Sequence, residues 1–154
     1  MTCAAIMTAK PTTIRDSESV AKAADALIAH HYINLPVVDA DGRFVGMFGI
    51  YELLSLLVPR VALAGDLLPN LRFVSDDPDA LRRKFADVKS KTVGDWCDRQ
   101  AVTLHPDTPM IEAIRLFCRR HNTLAVVERD TTKLAGIVSY WDAIRALTAA
   151  VTAS

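Results

Sequence analysis

The 154-residue sequence predicts a mixed α/β (α+β) fold built from one small unit used twice, packed as a pseudo-symmetric pair. Three observations predict it. The phrase "GMFGIYE" at 46 to 52 returns as "GIVSYWD" at 136 to 142. "TIRDSESVAKAADALIAHH" (13 to 31) faces "TLHPDTPMIEAIRLFCRRH" (103 to 121) residue for residue. "LPVVDADGRFVG" (35 to 46) then faces "LAVVERDTTKLAG" (124 to 136), with one residue lost before the second strand and one gained in the following turn. Insertions and deletions at connections are what a conserved unit tolerates.

Each copy reads as strand, helix, strand, turn, strand, helix. A short strand ("TTI" or "VTL") precedes a helix whose start is flagged by polar residues, most clearly Thr108 as a cap with Pro109 in the first turn. Val20, Ala24, Leu27 and His31, and in the second copy Met110, Ile114, Phe117 and His121, fall at helical spacing and predict a core face for each helix. A buried strand follows ("LPVVD" or "LAVVE"), then a turn, a second strand ("FVGMFG" or "LAGIVS") and a closing helix ("IYELLSLL" or "YWDAIRAL"). Neither copy can cover both faces of so small a sheet, whereas two packed together can, with a cleft between them.

The expected organisation is a first copy over 1–57, a connecting segment with an extra helix over 58–93, and a second copy over 94–150. The connecting segment matches neither copy. Within it, "DDPDALRRKFADVKSK" (76 to 91) predicts a capped helix with Leu81, Phe85 and Val88 on one side. Its Arg82, Arg83, Lys84 and Lys89 are diluted by Asp76, Asp77, Asp79 and Asp87, so a solvated face is favoured over a nucleic-acid patch.

Bulk composition excludes several classes. Lys plus Arg and Asp plus Glu both number 18, so no global field draws the chain to nucleic acid or anionic lipid. The longest apolar stretch (53 to 69) is cut by Pro59, Arg60, Asp66 and Pro69, short of the roughly 20 apolar residues of a membrane helix. No signal peptide is evident, making the cytoplasm the default location. Cys3, Cys97 and Cys118 share no metal or disulfide spacing, and Cys118, within an amphipathic helix, is expected to be a buried structural thiol. His30 and His31 point about 100° apart on a helix and do not converge on one metal, and His121 adds no ligand set. Trp96 and Trp141 read as packing or interface residues. No phosphate loop, metalloprotease motif or nucleophile elbow is present, which points away from an enzyme.

Taken together, "MTAKPTTI…LPVVDADGRFVG" and "VTLHPDTPMIEAIRLF…LAVV…LAGIVSYWDAI" resemble the cystathionine β-synthase (CBS) domain, a module that usually occurs in tandem as a CBS pair, or Bateman module. The resemblance covers nearly all of the chain except the connecting segment and the last residues, so a stand-alone pair without an attached effector domain is expected. It implies a regulatory protein that binds an adenosine-containing ligand (AMP, ADP, ATP or S-adenosylmethionine) without an obligatory cofactor, forms a homodimer through its helices, and signals to an effector protein. It further implies that Ser139 contacts phosphate and Asp142 the ribose hydroxyls, with adenine against Tyr32, Ile33 and Asn34, Thr8 nearby, and Thr123 on the phosphate side. A helix N-terminus offers free N–H groups to phosphate. Ser-x-x-Asp is equally an ordinary helix cap, and the two roles are compatible. The first copy departs from the pattern, with Gly49 and Glu52 at the equivalent positions, so a second site there is expected to be weaker. A ligand-free module for dimerisation or partner docking is the alternative.

Overall fold

The computed structural model describes residues 1–58 and 77–152. Residues 59–69 of the apolar stretch that begins at residue 53, and Asp76, therefore lie outside the described residues. The elements, in chain order, are α1 (Cys3–Ile6), β1 (Ile14–Arg15), α2 (Val20–His30), β2 (Asn34–Val38), β3 (Phe44–Gly49), α3 (Ile50–Ser55), α4 (Pro78–Val88), α5 (Val93–Trp96), β4 (Thr103–Leu104), α6 (Met110–Cys118), β5 (Thr123–Val127), β6 (Leu134–Ser139) and α7 (Tyr140–Thr152). They form two three-stranded sheets, β1-β2-β3 and β4-β5-β6. In each, the first pair is parallel across a helical crossover and the second is an antiparallel hairpin, with the same irregularity at the end of the hairpin ladder.

The duplication reaches the first residue, well beyond the part visible as repeated sequence. Segment 1–12 and segment 91–102 make equivalent contacts, and each packs on the other copy. Cys3, Ile6 and Met7 join the second core with Leu104, Leu116, Leu124 and Val138. Val88, Val93 and Cys97 join the first core with Val20, Leu27, Leu35 and Phe48. A third cluster, with Met47, Ala125 and Val127 at its centre, binds the copies to each other.

This exchange explains how the two crossover helices begin. Helix N-termini leave N–H groups without intrahelical partners. The Val20 N–H donates to the Lys91 carbonyl at 2.8 Å, and its equivalent, the Met110 N–H, to the Met1 carbonyl at 3.0 Å. Ser19 caps α2, its side chain accepting from the Lys22 N–H. In α6 the cap position is Pro109, with no side-chain cap bond. The expected cap, Thr108, instead accepts from the His105 N–H at 2.9 Å through its hydroxyl, closing the turn before the helix. Backbone from the exchanged segment supplies what that cap would have given.

Other expectations need correction. Val20, Ala24 and Leu27 are buried, but in α6 the most buried residues are Ala113 and Leu116, with Met110, Ile114 and Phe117 half-buried. The core stripe of α6 thus runs through Ala113 and Leu116, one position to the side of the expected one. His31 is exposed and His121 half-buried, because both helices have ended before them. The left-handed residue that turns the chain out of the helix is His31 (φ 52°) in the first copy and Arg120 (φ 70°) in the second. The one-residue deletion therefore falls inside the helix end, and His121 answers to Tyr32. Cys118 is exposed, at the last position of α6 and on the side away from Ala113 and Leu116.

In α4, Asp77 caps through a bond from the Asp79 N–H, Phe85 and Val88 reach the first core, and Leu81 is left exposed. Trp96 is partly exposed beneath the Lys91 ammonium, 5.0 Å from the ring centroid, and Trp141 is exposed on α7.

Candidate functional site

Two clefts related by the duplication lie where the β2 and β5 entries meet the starts of α7 and α3. The first has a volume of about 310 Å³ and is lined by Thr8, Tyr32, Ile33, Asn34, Thr123, Ser139 and Asp142. These are all seven residues that the sequence proposed for the principal site. Three stretches of chain bring them together. Thr8 arrives on the exchanged segment, which pairs with β6 through reciprocal Thr8 and Ile137 backbone bonds of 2.8 and 3.1 Å. That approach requires Gly136, where a Cβ would stand 2.5 Å from the Thr8 carbonyl oxygen. Tyr32 and Ile33 follow the left-handed turn at His31, and Tyr32 stacks on His30 with centroids 5.0 Å apart. Ser139 ends β6 opposite Thr123 and starts α7.

The polar end of the cleft is a complete capping box. The Asp142 carboxylate accepts from the Ser139 N–H at 2.7 Å and from the Ser139 hydroxyl at 2.9 Å, while that hydroxyl accepts from the Asp142 N–H at 3.3 Å. Its other oxygen takes a 2.7 Å bond from Arg145, one turn along α7. The side chain of Asp142 is only 10% exposed whereas that of Arg145 is 72% exposed. The carboxylate is thus prepositioned by its own helix, and its outer oxygen is held by a cation that can move aside.

The second cleft, about 250 Å³, is lined by Glu52 and Tyr51 from α3, Asp98 and Gln100 from the exchanged segment, and the stretch from Arg120 to Leu124. Glu52 accepts from the Gly49 N–H at 2.9 Å, but Gly49 has no side chain to return the bond, so only half of the box exists. Gly49 is buried beside Asn34 in the strand register and is not part of the cleft lining. A Cβ there would collide with the Ile33 carbonyl oxygen and lie 2.6 Å from the Asn34 Cβ, so glycine is required by close packing. Asn34, Asn122 and Thr123 line both clefts, and the Asn34 Oδ1 is buried without a hydrogen-bond partner.

Lys10, Pro11, His31, Trp141 and Arg145 also line the first cleft and were not proposed for it from sequence, where His31 was assigned to a core face and Trp141 to packing or an interface. Arg145 could have been found from its position one turn beyond Asp142. Lys10 had no such signal, because its placement depends on the exchange between copies. Among the described residues no cluster of three potential metal ligands occurs, and no helix is long and apolar enough to cross a membrane.

Comparison with known proteins agrees with this architecture. The CBS domain model matches residues 3–59 and 93–149. The CBS domain-containing protein CBSX1 of Arabidopsis thaliana, described as chloroplastic, is 25% identical over 140 residues, 89% of this chain. The chain spans only 57% of that relative's length. A crystal structure of CBSX2 in complex with AMP superposes with a TM-score of 0.70 at 25% identity, covering 96% of each chain. The CBS domain pair of protein MJ0100, solved with 5′-methylthioadenosine and S-adenosyl-L-methionine, has the same fold at a TM-score of 0.63 and 23% identity over 97% of each chain. With both copies matched and the paired architecture shared, the chain belongs to the CBS domain family.

Proposed function

We propose that this chain is a regulatory module that binds an adenosine-containing ligand, of the AMP, ADP, ATP or S-adenosylmethionine type, in the first cleft. The observation that carries the reading is the convergence of Ser139 and Asp142, at the start of α7, with Thr8 and Tyr32 to Asn34 in one cleft. Its volume of about 310 Å³ is at the lower end of the range for small-molecule sites, about 300 to 1,000 Å³. The Asp142 carboxylate suits a vicinal diol, since charge-assisted bonds contribute about 1.5 to 3 kcal/mol each. The N-terminal turn of α7 suits a phosphate. The unpaired Asn34 Oδ1 is an acceptor for an exocyclic amine, and the AMP-bound relative supports the ligand class.

Occupancy would be reported by displacement of Arg145 from Asp142 and a shift of α7. That helix exposes Trp141, Ile144 and Leu147, and α3 exposes Tyr51 and Leu54. These faces are the surfaces we assign to homodimerisation and to an effector protein. They also favour a second reading, a ligand-free docking module, in which Ser139 and Asp142 serve only as the helix cap they form here. Binding of nucleic acid through α4 is disfavoured, because Arg82 and Arg83 are paired with Asp79 and Asp77.

A thermal-shift screen with AMP, ADP, ATP, S-adenosylmethionine and NAD separates the readings. A ligand at a hundred times its Kd stabilises by about 2.7 kcal/mol, which at this size raises the midpoint by roughly 5 to 10 °C. No shift with any adenosine compound would leave the docking reading.

A further inference from the structure

The duplication allows the two clefts to be compared position by position, and their charges differ in sign. Thr8 and Lys10 of the first occupy the places of Asp98 and Gln100 in the second. Asp142 answers to Glu52, and Arg145 to Ser55, which is not part of the second lining. The first cleft therefore presents Lys10 and Arg145 against one carboxylate, and the second presents Glu52 and Asp98 against one guanidinium, Arg120. Each has one imidazole, His31 or His121.

The states of these groups sharpen the contrast. Among the described residues Lys10 has no ion-pair partner, so its charge is available to a ligand. Among the described residues the Arg145 guanidinium is held by Asp142 alone, and a diol arriving at that carboxylate would free it. In the second cleft the Asp98 carboxylate is fixed by a 3.0 Å bond from the Gln100 N–H. Its backbone is fixed by reciprocal bonds to Met47 of 2.7 and 3.0 Å, so the charge cannot easily withdraw.

We infer that the clefts are sorted by charge: the first takes adenosine compounds that carry phosphate, and the second excludes these and admits only adenosine compounds without phosphate, uncharged or cationic. The inference rests on the adenosine reading of the first cleft. A phosphate monoester brings about 1.5 to 2 negative charges at neutral pH. A water-screened charge a few ångströms away changes its affinity by about tenfold. A reversal of sign at one such position changes it by on the order of a hundredfold.

The test is calorimetric titration of the full chain with adenosine, AMP and S-adenosylmethionine, at low salt and at about 0.5 M salt, where exposed charges are screened. AMP is expected to bind once per chain, about tenfold or more tighter than adenosine, with the gap narrowing at high salt. Lys10→Glu should lower the ratio of AMP to adenosine affinity by on the order of a hundredfold at low salt. Asp98→Thr combined with Gln100→Lys, which gives the second cleft the residues of the first at these two positions and turns its net charge from negative to positive, should raise the AMP stoichiometry to two. Two AMP molecules bound by the unaltered chain, or an affinity ratio unmoved by Lys10→Glu, would overturn the inference. If adenosine binds and AMP binds no tighter, charge sorting alone fails. If neither binds, the adenosine reading fails and charge sorting with it.

Discussion

Asp142→Ala tests both roles assigned to the start of α7, because the carboxylate holds the helix in the free protein and is offered to the ligand. In the free protein the change removes two acceptor contacts, from the Ser139 N–H and hydroxyl, and an exposed contact to Arg145. The exposed pair is worth about 0.3 to 0.5 kcal/mol. Loss of a helix cap costs about 0.5 to 2 kcal/mol, and the half-buried Ser139 N–H is left without its partner. The sum is about 2 kcal/mol, a fall of roughly 4 to 8 °C in Tm for a chain of this length. Calorimetric melting without ligand measures this term alone. Titration below the melting range measures the second, an expected loss of 10- to 100-fold in affinity for AMP at about 1.4 kcal/mol per decade. Asp142→Asn, which keeps an acceptor for the Ser139 N–H, should recover most of the stability but little of the affinity. An unchanged Tm in ligand-free Asp142→Ala would refute the cap. Undiminished AMP binding, or a larger loss from Glu52→Ala, would refute the assignment of the principal site.

Three further outcomes follow from the packing. Val93→Ala, at a fully buried position of the first core, should cost about 2 kcal/mol; hydrogen exchange should then quicken at the Val20 and Ala21 amides, which bond to Lys91 and Lys89, before it quickens in α6. Gly49→Ser, which copies the second unit into the first, should destabilise by about 1 to 3 kcal/mol in urea unfolding rather than complete the second site, because the Cβ meets Ile33 and Asn34; an unchanged midpoint would show that the contact relaxes. Thiol labelling should modify Cys118 first, Cys97 slowly and Cys3 only on unfolding. Burial pushes the Cys3 and Cys97 thiols up, so the folded chain keeps protons that the unfolded chain releases. Their contribution to stability is therefore present below the unfolded thiol value of about 8.5 and drains as pH rises above it.

Much of the fold and of the principal cleft was legible because it is local or duplicated. The alternation of "LPVV" and "LAVV" with helical stretches, and the return of the same order of segments about ninety residues on, identified the strands, the hairpins and the crossover helices. Ser139, Asp142 and the Tyr32 to Asn34 stretch came from the resemblance to the CBS domain, and the repeat only ranked them above Gly49 and Glu52. The errors arose where one level of structure was used to infer another. Thr108 has the chemistry of a cap, but the N–H it would have satisfied is reached by the Met1 carbonyl. Cys118 has the period of an amphipathic helix, but it stands at the helix end on the solvent side. The one-residue deletion ahead of the second strand falls at the helix end, before the left-handed residue, so His121 answers to Tyr32 and not to His31.

The sequence by itself determined the repeated unit, its element order and the difference between "SYWD" and "GIYE", because helix and strand periods and helix-start chemistry act over a few residues. Only the tertiary structure decided that segments 1–12 and 91–102 cross to the opposite copy, that Lys10 and Arg145 share a cleft with Asp142, and that Gly49 has no room for a side chain. These depend on which surfaces meet when two small cores close over each other. A chain whose copies cannot each bury both faces of a sheet must exchange segments or pack face to face, and this one does both.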